Sequence, residues 1–211
     1  LSVTTTRAAA AAVLTAAAAL TIAAPASAAP TENALPTQVR EGLADLRAAA
    51  GDSLQSRLAV SAIEIGARTK AAGTYAQFAY AAPTFGCNGV TLTAASGSGG
   101  AAGTPTATGQ LRFQATPAYT GFATGSGLNV AWLNVNNGAS GVVPLDDLTE
   151  YNLPALAKAV DSGPGSVVAA LWGTVTYPAA TCFVAPTVGL FNVEPPTPPS
   201  AAGSAAPAPA P

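Results

Sequence analysis

The sequence predicts a mainly β protein: an antiparallel β-sandwich preceded by one or two amphipathic α-helices. Three observations carry this expectation. Residues 75–193 hold short runs of β-branched and aromatic residues, separated by Gly, Asn, Ser and Pro. Charge is nearly absent there, whereas nine of the 18 charged residues fall between Arg40 and Lys70, among apolar residues spaced by three or four. The only two cysteines, Cys87 and Cys182, sit near the two ends of the β region.

Residues 1–28 read as a cleaved secretory leader. Arg7 precedes the uncharged run Ala8–Ala24, Pro25 breaks it, and Ala26-Ser27-Ala28 offers small residues for cleavage after Ala28. Residues 29–73 form the helical segment. Val39, Leu43, Leu46, Ala50, Leu54 and Leu58 fall on one helical face. Thr37 after Pro36 starts a helix by accepting from a free backbone N–H. Gly51 stops it, and Asp52 or Ser53 caps a second helix running to about Lys70. The pair is expected to pack on its own domain.

Residues 74–194 form the sandwich domain. Strands are expected at Phe85–Ala95, Gln110–Thr116, Leu128–Asn134, Gly141–Leu145, Ser166–Tyr177 and Cys182–Val193. The alternation Leu111-Arg112-Phe113-Gln114 places Leu111 and Phe113 inward and the polar pair outward. Val167–Leu171 is apolar on both faces, as in a strand covered on each side. Asn136-Asn137-Gly138 predicts a hairpin turn, because Asn and Gly tolerate positive φ. A helix is expected from Asp147 or Thr149 through Val160, with Asp147 and Glu150 opposing the positive end of its dipole. Ser96–Gly109 reads as a loop. Residues 195–211, rich in Pro and Ala, read as an extended tail with no core.

In an exported chain an even pair of cysteines predicts a disulfide between Cys87 and Cys182. The covalent link matters because the core is diluted. Alanine supplies 52 of 211 residues, and Leu, Val, Ile and Phe together only 43. Trp132 lies between the cysteines, as in immunoglobulin domains, but too far from Cys87 for that plan. Only an immunoglobulin-like architecture, with its topology open, is therefore expected.

Composition also narrows the chemistry. The formal net charge of −2 excludes a basic nucleic-acid binder, and the lack of histidine removes His-based triads and the commonest metal ligand. No catalytic residue, metal ligand or cofactor is assigned. The weak candidate site is the acidic group Asp146, Asp147, Glu150 and Asp161, since neighbouring carboxylates bind calcium or act as acid and base on glycosides. Ser126 and Ser140 lie near glycines but lack a recognisable base; only Lys70 and Lys158 are available. Tyr75, Phe78, Tyr80, Trp172, Tyr177 and Phe183 are core residues or, if exposed, a binding strip. The expected function is that of an exported bacterial cell-envelope or extracellular protein, structural or interactive and without catalysis. Its partner would be an envelope component or another protein. The alternatives are a carrier of an apolar ligand and a carboxylate-dependent hydrolase.

Overall fold

The computed structural model describes residues 35–71, 80–87, 90–99 and 106–195. The expected leader, Tyr75, Phe78, and the tail from Pro196 lie outside these residues. Two helices and nine strands follow one another among the described residues. The first helix, α1 (Thr37–Ala50), buries Val39, Leu43 and Leu46, as its spacing predicts. Thr37 is its first helical residue and not its cap; its Oγ1 accepts from the Arg40 guanidinium at 3.2 Å. Gly51, at φ 70°, ends the helix. Ser53 then caps α2 (Leu54–Ala71), its Oγ accepting from the Ser56 N–H at 3.1 Å.

The break at Gly51 resets the helical phase. Leu54 and Leu58, expected on the buried face, are 66% and 52% exposed. In their place Ala59, Val60, Ile63 and Ala67 point inward and join α1 against Ala131, Leu133, Val168, Ala170 and Leu190 of the sheet. Each large side chain buried there contributes about 1.5–3 kcal/mol, more than helix propensity supplies. The helices therefore share a core with the sheet.

The strands are β1 (Tyr80–Phe85), β2 (Val90–Gly99), β3 (Leu111–Pro117), β4 (Gly125–Ser126), β5 (Asn129–Asn134), β6 (Ser140–Pro144), β7 (Ala157–Val160), β8 (Gly165–Tyr177) and β9 (Ala180–Val193). All pairings are antiparallel, and the strands make one sheet ordered β6-β5-β8-β9-β1-β2-β3-β7, with β4 also on β8. The mainly β, antiparallel expectation holds. The layout differs from two separately bonded layers: the single sheet curls into a nearly closed barrel. Its inner face brings Val130 and Trp132 of β5 into one core with Leu111 and Phe113 of β3, Val160 of β7 and Phe191 of β9. The long β8–β9 ladder permits this bend through a register shift between Leu171 and Gly173. Gly173 sits at φ 128°, and a side chain there would collide with the Gly127 carbonyl.

Three further expectations are corrected. Phe85–Ala95 is not one strand but the end of β1, a bend at Gly86 and Cys87, and most of β2. Ser96–Gly99, expected in a loop, continues β2 and pairs with Leu111–Gln114, because an interior ladder satisfies its backbone despite poor strand propensity. The expected helix over Asp147–Val160 is an irregular loop followed by β7. Asn152 and Leu156 adopt positive φ (57° and 51°), and Leu148 bridges to Pro154, which cannot donate within a helix. No helix among the described residues is long and apolar enough to cross a membrane.

Candidate functional site

The acidic group gathers around the β6–β7 loop, where β3 and β7 run side by side. The β3–β7 register sets Arg112 opposite Ala159 and Phe113 opposite Lys158. The loop returns alongside β7, the Asp147 N–H donating to the Ala157 carbonyl at 3.1 Å and the Ala155 N–H to the Asp147 carbonyl at 2.8 Å. This carries Asp147 to 2.9 Å from the Arg112 guanidinium and 3.6 Å from Lys158, while Asp146 reaches Lys158 at 2.7 Å. Asp161 stands apart and accepts from Gln110 Nε2 at 2.7 Å. Glu150 lies exposed at the loop tip. The four carboxylates thus divide into an ion-paired couple, one hydrogen-bonded residue and one solvated residue.

The pairing sets the charge states. The hydrogen bond from Lys158 holds the Asp146 carboxyl below its ordinary 3.8, and the same bond raises the Lys158 ammonium above 10.5. Lys158 is therefore a fixed cation near neutral pH and a poor general base. The depressed Asp146 contributes stability above its ordinary range, and this is lost as pH falls through its lowered value. In an NMR titration Asp146 is expected to titrate below 3.8. Lys158→Met should bring it back toward the ordinary value, and an unchanged midpoint would remove Lys158 as the cause.

The serines singled out near glycines are engaged elsewhere. Ser126 Oγ donates to the Leu145 carbonyl at 2.7 Å, and Ser140 Oγ donates to the Gly42 carbonyl of α1 at 2.9 Å. Both hydroxyls fasten backbone. Lys70, at the end of α2, makes no ion pair among the described residues.

Three features escaped the sequence reading. At the opposite end of the barrel, the buried Asn134 side chain donates from Nδ2 to the carbonyls of Ser162, Gly163 and Pro164 at 2.8, 3.2 and 3.0 Å. Asn137 Nδ2 adds a bond to the Ser162 carbonyl at 3.1 Å, and the Ser166 N–H donates to Asn136 Oδ1 at 2.7 Å. The expected Asn136-Asn137-Gly138 turn is present, with Gly138 at φ 79°. It is also a clamp onto the β7–β8 loop, and α1 presses on it so closely that a side chain at Gly42 would meet the Gly138 carbonyl. The second feature is Trp132, buried across the β6 residue Gly141, where a methyl would come within 3.2 Å of the indole Nε1. That indole N–H has no acceptor among the described residues.

The third is a cleft of about 300 Å³ at the α1–α2 turn, lined by Arg47, Asp52, Arg57, Val60 and Ser61 among others. Glu64 pairs with one of its cations, Arg47, and also binds Arg68 of its own helix at 2.8 Å. Arg68 first, then Arg47, holds the Glu64 carboxyl below its usual value. Of the aromatic residues weighed as a binding strip, Trp172 and Tyr177 are buried and Phe183 is exposed. Tyr177 packs on Tyr119 with ring centres 4.5 Å apart, and its burial pushes the phenol up.

No family model, curated protein or solved structure matches the chain.

Proposed function

We propose that the protein is exported and works without catalysis, as a structural or interaction module of the cell envelope or its surroundings. The observation that carries this reading is a buried disulfide between neighbouring strands of the barrel. Cys87 follows β1, Cys182 lies in the adjacent β9, and their disulfide spans 95 residues with Cα atoms 5.1 Å apart. Such a bond persists in oxidising compartments and fits an exported chain.

The chemistry-bearing side chains support the absence of catalysis. Lys158 is held by Asp146 and Asp147, and the Ser126 and Ser140 hydroxyls donate to carbonyls. The barrel interior is filled by Phe113, Phe191, Trp132 and Leu171, which weighs against a carrier of an apolar ligand. In cell fractionation followed by intact mass measurement, the chain is expected outside the cytoplasm, shortened at Ala28 and with both cysteines oxidised. A full-length intracellular chain with free thiols would overturn the reading. A hydrolytic activity lost on changing Asp146, Asp147, Glu150 and Asp161 to amides would replace it with the hydrolase.

A further inference from the structure

The outer wall of the barrel is not uniformly covered. The helices shield β5, β8 and the later part of β9, through Leu133, Val168 and Leu190. Among the described residues, the sector made by β1, β2 and the start of β9 contributes nothing to that helix-covered core. There the inward residues Ala82, Thr84, Thr93 and Val184 are buried, and the alternate residues point out. Phe85 faces Phe183 across the β1–β9 pair, and Pro83 faces Leu92 across the β1–β2 pair. All four belong to one face and are exposed.

The loop from Ala118 to Thr124 is tied to β2 at one end and to the end of β8, beside the start of β9, at the other. The Ala118 N–H donates to the Leu92 carbonyl at 3.1 Å and the Thr124 N–H to the Thr176 carbonyl at 2.8 Å. This loop presents Phe122, 78% exposed. Three phenylalanines, a leucine and a proline are therefore held outward by a paired and disulfide-linked scaffold. Exposed apolar groups collected in this way mark an interaction surface.

Charge distribution decides the kind of partner. No Asp, Glu, Lys or Arg occurs in residues 71–111, 113–145 or 162–193. The whole of β1, β2, β8, β9 and the Phe122 loop is thus formally neutral, and the charges cluster on the helices and around β3, β7 and the β6–β7 loop. A typical protein partner would bring charges that this face cannot pair, and each would be desolvated without compensation.

The same face of a second copy brings no charge, but the area is too small for it. Phe85 and Phe183 are each 41% exposed and Phe122 78%. At about 200 Å² per aromatic side chain, the three together offer roughly 300 Å². Leu92 and Pro83 leave the total short of the ~800 Å² per partner in a standard interface. The apolar layer of a lipid surface requires neither a matching charge nor a large flat area, and Phe and Leu side chains bind it by burying their apolar area at the headgroup–acyl boundary.

We propose that the Pro83–Phe85–Leu92–Phe183 face, together with Phe122, docks the protein on a neutral lipid surface by inserting these side chains below the headgroups. The proposal rests on the exported, envelope-facing reading, and its test separates the two.

The test is flotation of the oxidised, exported chain with phosphatidylcholine vesicles at low and high ionic strength. Wild type is expected to float with the vesicles at both, because no ion pair is involved. Phe122→Ser with Phe183→Ser should lower the partition at least about tenfold. Circular dichroism would check that this double variant keeps its fold. Tyr151→Ser, in the exposed β6–β7 loop, should leave the partition unchanged.

Wild type that does not float overturns the proposal, as does a double variant that floats equally well. So does an equal loss in Tyr151→Ser. Binding restricted to phosphatidylglycerol vesicles and abolished by salt would assign the attraction to charge and overturn it too. Sedimentation showing a dimer that the double variant dissociates would give the face to a second copy. An extracellular, disulfide-bonded protein that does not float leaves the export reading standing, whereas free thiols in an intracellular chain remove that reading whatever the vesicles show.

Discussion

Replacing Cys87 and Cys182 together by alanine is expected to lower the unfolding free energy by about 4–5 kcal/mol, the chain-entropy cost of freeing a loop of this length. The separation of 95 residues gives the bond this leverage, since the constraint on the unfolded chain grows with the logarithm of the loop. Domains of this size keep a net stability of about 5–15 kcal/mol, so the loss takes a large part of the total. The alanine content of the chain sharpens the effect. Inward positions such as Ala82, Ala115, Ala123 and Ala169 bury little apolar area, and the barrel has little in reserve. Both cysteines are fully buried, so alanine leaves a small void without stranding a polar group. Urea unfolding of the oxidised protein and of the double variant, at equal pH and salt, measures the difference. A loss below about 1 kcal/mol would show that the packed barrel stands without the link, against the entropy argument.

The parts of the fold legible in the sequence are those in which one strand's own pattern reports its two surroundings. Leu111 and Phe113 alternate with Arg112 and Gln114 because the inner face is dry and the outer face wet. Val167–Leu171 is apolar throughout because Val167, Ala169 and Leu171 line the barrel while Val168 and Ala170 meet the helices. What remained hidden depends on residues distant in sequence. Leu54 and Leu58 continue the spacing of α1, but the turn at Gly51 rotates them outward. The bend at Gly86 and Cys87 divides an apparently continuous strand, since periodicity does not register a turn that keeps an apolar composition.

The candidate site shows the same division. The density of acids around Asp146 was visible, whereas their partners were not: Arg112 lies 35 positions before Asp147 and reaches it only through the β3–β7 register. Asn134 is the clearest omission. An amide beside an Asn-Gly turn reads as part of that turn, and only the arrival of Ser162–Pro164 makes it a buried donor. The pairing of exposed Phe85 with Phe183 likewise becomes meaningful only when β1 is laid beside β9.

Asn134→Leu is expected to destabilise the protein by about 3 kcal/mol, through polar groups left without partners. The side chain is fully buried, and its Nδ2 serves three successive carbonyls while its Oδ1 accepts from the Asn136 N–H at 2.9 Å. Leucine has a similar volume, so lost packing is a minor part of the effect; the Ser162 carbonyl keeps its bond from Asn137 Nδ2, and the loss falls mainly on the Pro164 carbonyl and the Asn136 N–H. Asn134→Asp should be worse at neutral pH. It keeps the acceptor but turns the donor into a second anionic oxygen facing three carbonyls. Asn136→Ala, which removes one bond to the Ser166 N–H near the surface, should cost only about 1 kcal/mol. The location of the damage tests the structural role. No ladder joins β6 to β7 among the described strands, and Asn134 and Asn137 bind the β5–β6 hairpin to the loop leaving β7. Hydrogen exchange in Asn134→Leu should therefore accelerate first at Ala139–Val143 and Ser162–Ser166, beside Trp132, while β1 and the disulfide-linked start of β9 stay protected. Uniform acceleration across the sheet would show that Asn134 supports the barrel as a whole and does not hold this seam in particular.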